Sequence, residues 1–202
     1  MADITASDVK RLRDLTGAGM MACKQALVDA DGDLQRAADL VRERTGAKMD
    51  ARAAERTARE GLVHAYLHTP TPGTPAKVGV MVQLSCETDF VARNEAFQQL
   101  ARDLALHIAA YRPAVVSEDQ IDEATLSKER EFARKEAEGK PEQVVERIVE
   151  GKIARFYEEQ VLLNQRFIRD ERRTVAEVVS EVQGIIGEKI EIARFARFEV
   201  GA

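Results

Sequence analysis

Two runs of alternating side chains, one on each side of a proline-rich loop, constrain the fold of this chain most strongly. The loop over residues 70–75 reads Pro-Thr-Pro-Gly-Thr-Pro, and proline cannot donate the backbone hydrogen bond that a strand interior requires. A period of two on both sides of such a loop predicts an antiparallel β-hairpin. The alternating positions are Leu62, His64, Tyr66 and His68 before the loop and Val78, Val80, Val82 and Leu84 after it.

The residues before the hairpin predict a small helical module. Thr5 and Asp8 have the spacing of a capping box, and Asp33 can cap a later helix. Three short helices are therefore expected within residues 1–47, followed by a linker over 48–60. The glycines expected to end helices are Gly17 and Gly46. The apolar positions of these helices are Val9, Leu12, Leu15, Met20, Met21, Ala26, Leu27, Ala30, Leu34, Ala37, Ala38 and Val41.

The residues after the hairpin show helical patterns and then a strand pattern. Asn94 and Thr174 can cap helices, and a charged helical hairpin is expected over about 118–159. The last apolar run has a slip in its alternation near Arg194, which suggests a bulge. Helices between an early hairpin and a late strand favour an α+β core with a small antiparallel sheet over residues 61–202.

Composition argues against several classes of protein. The formal net charge of -5 disfavours a general nucleic-acid binder, because such proteins release counterions from phosphates through many basic side chains. No apolar run approaches the roughly 20 residues that a membrane span needs. The first residues lack the basic-then-apolar layout of a signal peptide, and the chain has two cysteines. A cytoplasmic protein that does not enter the membrane is therefore expected.

No motif for catalysis or metal binding is complete. The Gly-Ala-Gly at 17–19, followed by Lys24, lacks the glycine and the Ser or Thr that flank the lysine of a phosphate loop. Cys86 has no recognisable base or oxyanion hole, so a buried thiol is favoured over a nucleophile. The histidines, whose spacing does not favour a shared metal, are His64, His68 and His107. We therefore expect no cofactor and no metal ligand.

The connection after the second run of the hairpin carries apolar side chains where polar turn residues are expected. Residues 86–94 read Cys-Glu-Thr-Asp-Phe-Val-Ala-Arg-Asn, with Phe90 and Val91 in the middle. An exposed aromatic residue in such a connection indicates a contact surface. The residues alone leave open a second interpretation, in which Phe90 packs on its own helix or sheet.

Two stretches resemble the signature sequences of the elongation factor Ts family. The first lies within residues 12–27 and contains Thr-Gly-Ala-Gly-Met-Met, followed by Cys-Lys and Ala-Leu. The second is 86–94, and the Arg-Phe-Glu-Val-Gly at 197–201 is similar to the C-terminus of the family. The order and spacing of these stretches agree along the whole chain.

This resemblance implies a guanine-nucleotide exchange factor for the GTPase elongation factor Tu, without covalent chemistry of its own. It also implies that a three-helix, ubiquitin-associated-like (UBA-like) module precedes the α+β core. The chain has room for a single core, as in the short members of the family, which work as homodimers. By resemblance, the segment that dislocates magnesium from the GTPase comprises Thr88, Asp89, Phe90 and Val91.

The resemblance further implies that the N-terminal module contacts the nucleotide domain of the GTPase through Arg13, Met20 and Met21. The residues leave an alternative open for each, because Arg13 also fits an ordinary surface charge and one methionine is expected to pack inward. Two other functions compete with exchange. They are a hydrolase that depends on Cys86 and a ribosome- or RNA-associated adaptor that uses the basic linker Lys48 to Arg59.

Overall fold

The structure is a computed structural model, and it describes residues 4–16, 18–41, 44 and 57–201. The helix ends expected at Gly17 and Gly46, and most of the expected linker, lie outside the described residues. The described residues form helices, a three-stranded antiparallel sheet and a two-stranded ribbon, so the predicted mixture of helices and a small antiparallel sheet is confirmed. Among them, no helix combines the length and the apolar content needed to cross a bilayer.

The described residues from 4 to 44, which we call the N-terminal module, contain three helices, namely α1 (Ala6–Thr16), α2 (Met20–Asp29) and α3, whose continuous described part is 34–41. The capping box predicted for α1 is confirmed. The Thr5 amide donates to Asp8 Oδ2 at 3.1 Å, and the Asp8 amide donates to Thr5 Oγ1 at 3.3 Å. Asp33 caps α3 as predicted, because its Oδ1 accepts from the amides of Gln35 and Arg36.

The interior of the module is filled by small and branched side chains. Its buried residues are Val9, Leu12, Cys23, Ala26, Leu27, Ala30, Ala37, Ala38 and Val41. Leu15 is exposed, and the expectation that one of the two methionines packs inward is wrong, since Met20 and Met21 are 61% and 80% exposed. Met20 is in helical phase with Cys23. However, helical side chains lean toward the N-terminus, so a first-turn side chain projects past the end of its helix.

The remaining elements are β1 (Glu60–His68), β2 (Val78–Cys86), α4 (Asp89–Ala92), α5 (Glu95–Tyr111), α6 (Glu123–Glu136), α7 (Glu142–Gln160), β3 (Arg166–Phe167), β4 (Asp170–Thr174), α8 (Val175–Ile186) and β5 (Glu191–Glu199). Strands β1 and β2 form the predicted hairpin, and β5 pairs with β2 on its other side. The predicted bulge is confirmed. Gln83 pairs with Arg194 while Leu84 pairs with Ile192, which leaves Ala193 as the extra residue.

The two faces of this sheet differ in what covers them. On one face, α5 packs against β1 and β2 over a core that contains Val80, Val82 and Leu84. The side chains that alternate with these point to the other face, which we call the outer face. Its exposed large apolar residues are Val63, Leu67, Met81 and Phe198. The core therefore lies on one side of the sheet, and apolar surface remains on the other.

The predicted helical hairpin is formed by α6 and α7. Ala133, Ala137 and Val149 are buried, and Lys152 Nζ on α7 pairs with Glu136 Oε2 on α6 at 2.7 Å. The helix predicted after Thr174 is α8. It begins with a complete capping box between Thr174 and Glu177, and it ends at Gly187 with a φ of 84°, a conformation that favours glycine.

Candidate functional site

The connection between β2 and α5 contains the one-turn helix α4, and we call residues 88–91 the tip segment. Strand β2 ends at Cys86, where the chain leaves the sheet. At the other end Asn94 caps α5 as predicted, because its Oδ1 accepts from the Ala96 amide at 2.8 Å. The tip segment therefore lies between β2, the central strand of the sheet, and the start of α5, the helix that packs against the sheet.

The two apolar residues of the tip segment point in opposite directions. Val91 is 9% exposed and belongs to the core, while Phe90 is 79% exposed. Packing of Val91 anchors α4 to the sheet, so the neighbouring ring is directed outward by the geometry of a single helical turn. The sequence leaves open whether Phe90 is exposed or packs on its own helix or sheet, and in the structure the ring is exposed.

Asp89 begins α4 and pairs with Arg93, the residue that directly follows this helix. Its Oδ2 accepts from Arg93 Nη2 at 2.9 Å, and both side chains are largely exposed. An exposed ion pair of this kind contributes only about 0–1 kcal/mol, because water screens it and both side chains lose freedom. The Asp89 carboxylate can therefore exchange Arg93 for another cationic or N–H donor at little cost.

The tip segment is also bonded to the connection between α8 and β5. The Thr88 amide donates to Glu188 Oε2 at 3.0 Å, and the Thr88 hydroxyl donates to Glu188 Oε1 at 2.7 Å. In return, the Lys189 amide donates to Glu87 Oε1 at 2.7 Å. Sequence reasoning missed Glu188, since a carboxylate 100 residues away from its partner leaves no local pattern.

Cys86 lies beneath this network and is fully buried. Its thiol donates to the Thr88 carbonyl at 3.1 Å. Burial, together with the negative charge of Glu188, raises the pKa of the Cys86 thiol. A thiol held in its protonated form is a poor nucleophile, so the geometry favours a structural role over a hydrolytic one.

The three histidines lie in different settings. His107 on α5 is buried, its Nδ1 accepts from the Ile168 amide, and its Nε2 therefore carries the proton and donates to Gln165 Oε1. Burial lowers the pKa of His107, and burial together with the Arg102 charge lowers the pKa of His64. His68 Nδ1 lies 3.1 Å from the Tyr66 hydroxyl oxygen, and the two groups form a hydrogen bond. The described part of the chain contains no group of three potential metal ligands.

The N-terminal residues predicted to contact a partner are all accessible. Arg13 lies in the last turn of α1 and is exposed. Met20 and Met21 occupy the first turn of α2, directly after the connection from α1. The three side chains therefore border the same α1–α2 connection, with the cation on one side of it and the two thioethers on the other.

The model of the family described as "Elongation factor TS" matches residues 7–202. The chain belongs to the elongation factor Ts family. A protein named elongation factor Ts from Frankia alni is 48% identical over 202 residues, which cover 99% of this chain and 98% of that protein. Elongation factor Ts from Oleidesulfovibrio alaskensis is 46% identical over 204 residues, which cover all of this chain and all of that protein. Elongation factor Ts from Desulforamulus reducens is 46% identical over all of this chain and 91% of its own length.

Membership of the elongation factor Ts family places this chain among the translation elongation factors. It implies nucleotide exchange on elongation factor Tu, a function that involves no covalent chemistry. The raised pKa of the buried Cys86 thiol agrees with a protein that works through binding.

Proposed function

We propose that this chain binds elongation factor Tu with GDP and releases the nucleotide by inserting Phe90 between elements of the GTPase. The observation that carries this proposal is the exposed ring on a fixed tip segment, because Thr88 at one end is bonded to Glu188 and Val91 at the other end packs in the core. Asp89 lies next to the ring with a weakly held carboxylate and provides the polar half of the contact. Val91 supports the tip segment from below, and Thr88 bonds it to the core.

The energy for disturbing the nucleotide site comes from burying surface. Transferring a Phe side chain from water to an apolar environment is favourable by roughly 1.5–3 kcal/mol. In the free protein most of the Phe90 ring is in water, so nearly all of this gain is realised on binding. The gain offsets the displacement of the groups that hold magnesium and the phosphates in the GTPase.

Exchange then follows from thermodynamic coupling. If the factor weakens GDP binding by a given multiple, GDP weakens the binding of the factor by the same multiple. The factor therefore leaves when a nucleotide returns, and it acts again on another GTPase. The magnesium belongs to the GTPase throughout this cycle.

The N-terminal module supplies a second contact in this proposal. It comprises residues 1–47 with a UBA-like arrangement of three helices, and 48–60 link it to the core domain of 61–202. Met20 and Met21 provide flexible apolar side chains that adapt to a partner surface, and Arg13 provides a charge beside them. Docking through this module raises the concentration of the tip segment near the nucleotide site.

We further propose that the chain is a homodimer whose two copies pack their outer faces together. This face presents Val63, Leu67, Met81 and Phe198 in one sheet, which is more contiguous apolar surface than isolated exposed residues provide. In a twofold-symmetric dimer, each residue of this face contributes to the interface from both copies.

Sedimentation velocity at micromolar concentration should show a dimer, and Phe198→Glu should give monomers. Phe132→Glu, on an exposed part of α6, is the control, and a wild-type monomer would contradict the proposal.

The central experiment measures the release of fluorescent GDP from elongation factor Tu after mixing with an excess of unlabelled nucleotide. The wild-type chain should accelerate release in a concentration-dependent and saturable manner. Release that proceeds at the spontaneous rate at every concentration would contradict the exchange function.

A further inference from the structure

Two glutamates link the tip segment to the connection between α8 and β5, and each accepts hydrogen bonds from the connection that carries the other. Glu188 accepts both the amide and the hydroxyl of Thr88, at 3.0 and 2.7 Å. Glu87 accepts the amide of Lys189 at 2.7 Å. The connection before α4 and the connection before β5 thus each donate a backbone N–H to a glutamate of the other. Glu87, Thr88, Glu188 and Lys189 are all half-buried, which strengthens such charge-assisted bonds compared with bonds in open water.

Helix α4 cannot hold this position by its own stability. It has four residues, and a single helical turn fixes several backbone dihedrals for very few hydrogen bonds. Thr88 is its N-cap, but the hydroxyl makes no bond to the amides of α4. The hydroxyl is directed to Glu188 instead, so the orientation of the turn is set from outside the turn.

We propose that Glu188 is a positioning residue for Phe90 and acts through the two bonds to Thr88. This inference rests on the exchange function proposed above. Without the Glu188 bonds, the turn that carries Phe90 samples several orientations, and only a fraction of the free protein presents the ring correctly. The apparent affinity for a partner falls by that fraction. Once bound, the ring occupies the same place, so the maximal rate of exchange is unchanged.

The chain contains a matched control for this arrangement. At the start of α6, the Thr125 amide donates to Asp122 Oδ1 and the Thr125 hydroxyl donates to Asp122 Oδ2, both at 2.8 Å. The chemistry is the same as that of Thr88 and Glu188, but the pair belongs to the helical hairpin. Thr125→Val therefore removes an equivalent hydroxyl without touching the tip segment.

The test compares nucleotide release at varied factor concentration for the wild type, Thr88→Val, Thr88→Ser, Glu188→Gln, the double variant Thr88→Val/Glu188→Gln, and Thr125→Val. Loss of a charge-assisted hydrogen bond should raise the half-saturating concentration by about tenfold in Thr88→Val and Glu188→Gln. Thr88→Ser keeps the hydroxyl and should resemble the wild type, as should Thr125→Val. The double variant should be no weaker than the weaker single variant, since both changes break the same contact.

Three results of this comparison would overturn the positioning role. One is an unchanged half-saturating concentration in both single variants. Another is multiplication of the two effects in the double variant, which would show that Thr88 and Glu188 act independently. The third is a Thr88→Ser variant as weak as Thr88→Val, since this would show that the hydroxyl is not the group that matters.

A second measurement does not depend on any partner. Hydrogen exchange of the Thr88 amide should be slow in the wild type and faster by about tenfold in Glu188→Gln, because the acceptor loses its charge. A Thr88 amide that exchanges at the unprotected rate in the wild type would also overturn the inference. If the wild type does not accelerate GDP release, the exchange function fails, while amide protection still decides whether Glu188 holds the tip segment. This readout also serves if Thr88→Val does not fold.

Discussion

The tip segment and the methionine pair both present large apolar side chains at the start of a helix, but they are held in different ways. Phe90 lies on a turn that is fixed by Val91 in the core and by Glu188 from a distant connection. Met20 and Met21 lie on α2, whose N-cap Gly19 has no side chain that could bond to a distant residue as Thr88 does. The packing of α2 involves neighbouring helices that are close in sequence.

This difference suggests a division of work between the two surfaces. A rigid aromatic ring on a fixed segment can displace groups of a partner, because the segment keeps its position when the ring is inserted. Methionine has a flexible, polarisable side chain that fits irregular surfaces and adapts when they move. We therefore expect Phe90 to determine how fast nucleotide leaves, and the methionine pair to determine how tightly the factor docks.

The largest effect is expected from Phe90→Ala. Loss of the burial energy of the ring should lower the maximal rate of GDP release by about 10- to 100-fold. The thermal unfolding temperature should not change, because the ring is 79% exposed in the free protein. Stopped-flow release of fluorescent GDP and a thermal melt measure the two quantities.

The control for this variant is Phe132→Ala, which removes an aromatic ring that is 60% exposed on α6. It should leave the release rate at the wild-type value. Equal rates for Phe90→Ala and the wild type would remove the distinction between the two surfaces and refute the wedge.

A smaller effect is expected from the double variant Met20→Ala/Met21→Ala. Each thioether contributes part of its burial energy at a partly wet contact, so the half-saturating concentration should rise by about tenfold with little change in the maximal rate. Val28→Ala, which trims another exposed apolar residue of α2, is the matched control. A fall in the maximal rate instead would show that the module takes part in displacing nucleotide, and this would contradict the division of work between the two surfaces.

The smallest effect concerns stability in acid, and it separates the two regions because all three histidines lie after the N-terminal module, at positions 64, 68 and 107. The pKa of buried His107 is lowered, so the unfolded chain binds a proton more readily than the folded chain. As pH falls through the ordinary histidine range, the free energy of unfolding should therefore decrease, and it should level off below the pKa of folded His107. The N-terminal module should not share this loss.

Unfolding by urea at pH 7 and pH 5 measures this loss of stability. His107→Gln should remove most of the histidine-dependent part of the difference between the two pH values. His64→Gln should remove less, because that ring is only half-buried although its pKa is lowered in the same direction. A His107→Gln variant that keeps the full difference would assign the acid sensitivity to other groups.

Local signals in the sequence predicted most elements of the fold. The alternation around the proline-rich loop predicted β1 and β2, and Thr5, Asp33 and Thr174 predicted helix starts that their hydrogen bonds confirm. The slip near Arg194 predicted the bulge that falls at the neighbouring residue. These predictions succeed because periodicity and capping depend on residues a few positions apart.

The sequence by itself therefore determined most of the elements, the family and the segment that carries Phe90, but not the one-turn helix α4 or the β3–β4 ribbon. Only the tertiary structure decided that Val91 turns inward while Phe90 turns outward, since that choice depends on where the sheet lies beneath α4. It also decided that both methionines are exposed, because the first turn of α2 projects beyond the packed centre of the module. The bond between Thr88 and Glu188 joins residues 100 positions apart, and such a contact exists only after the chain has folded.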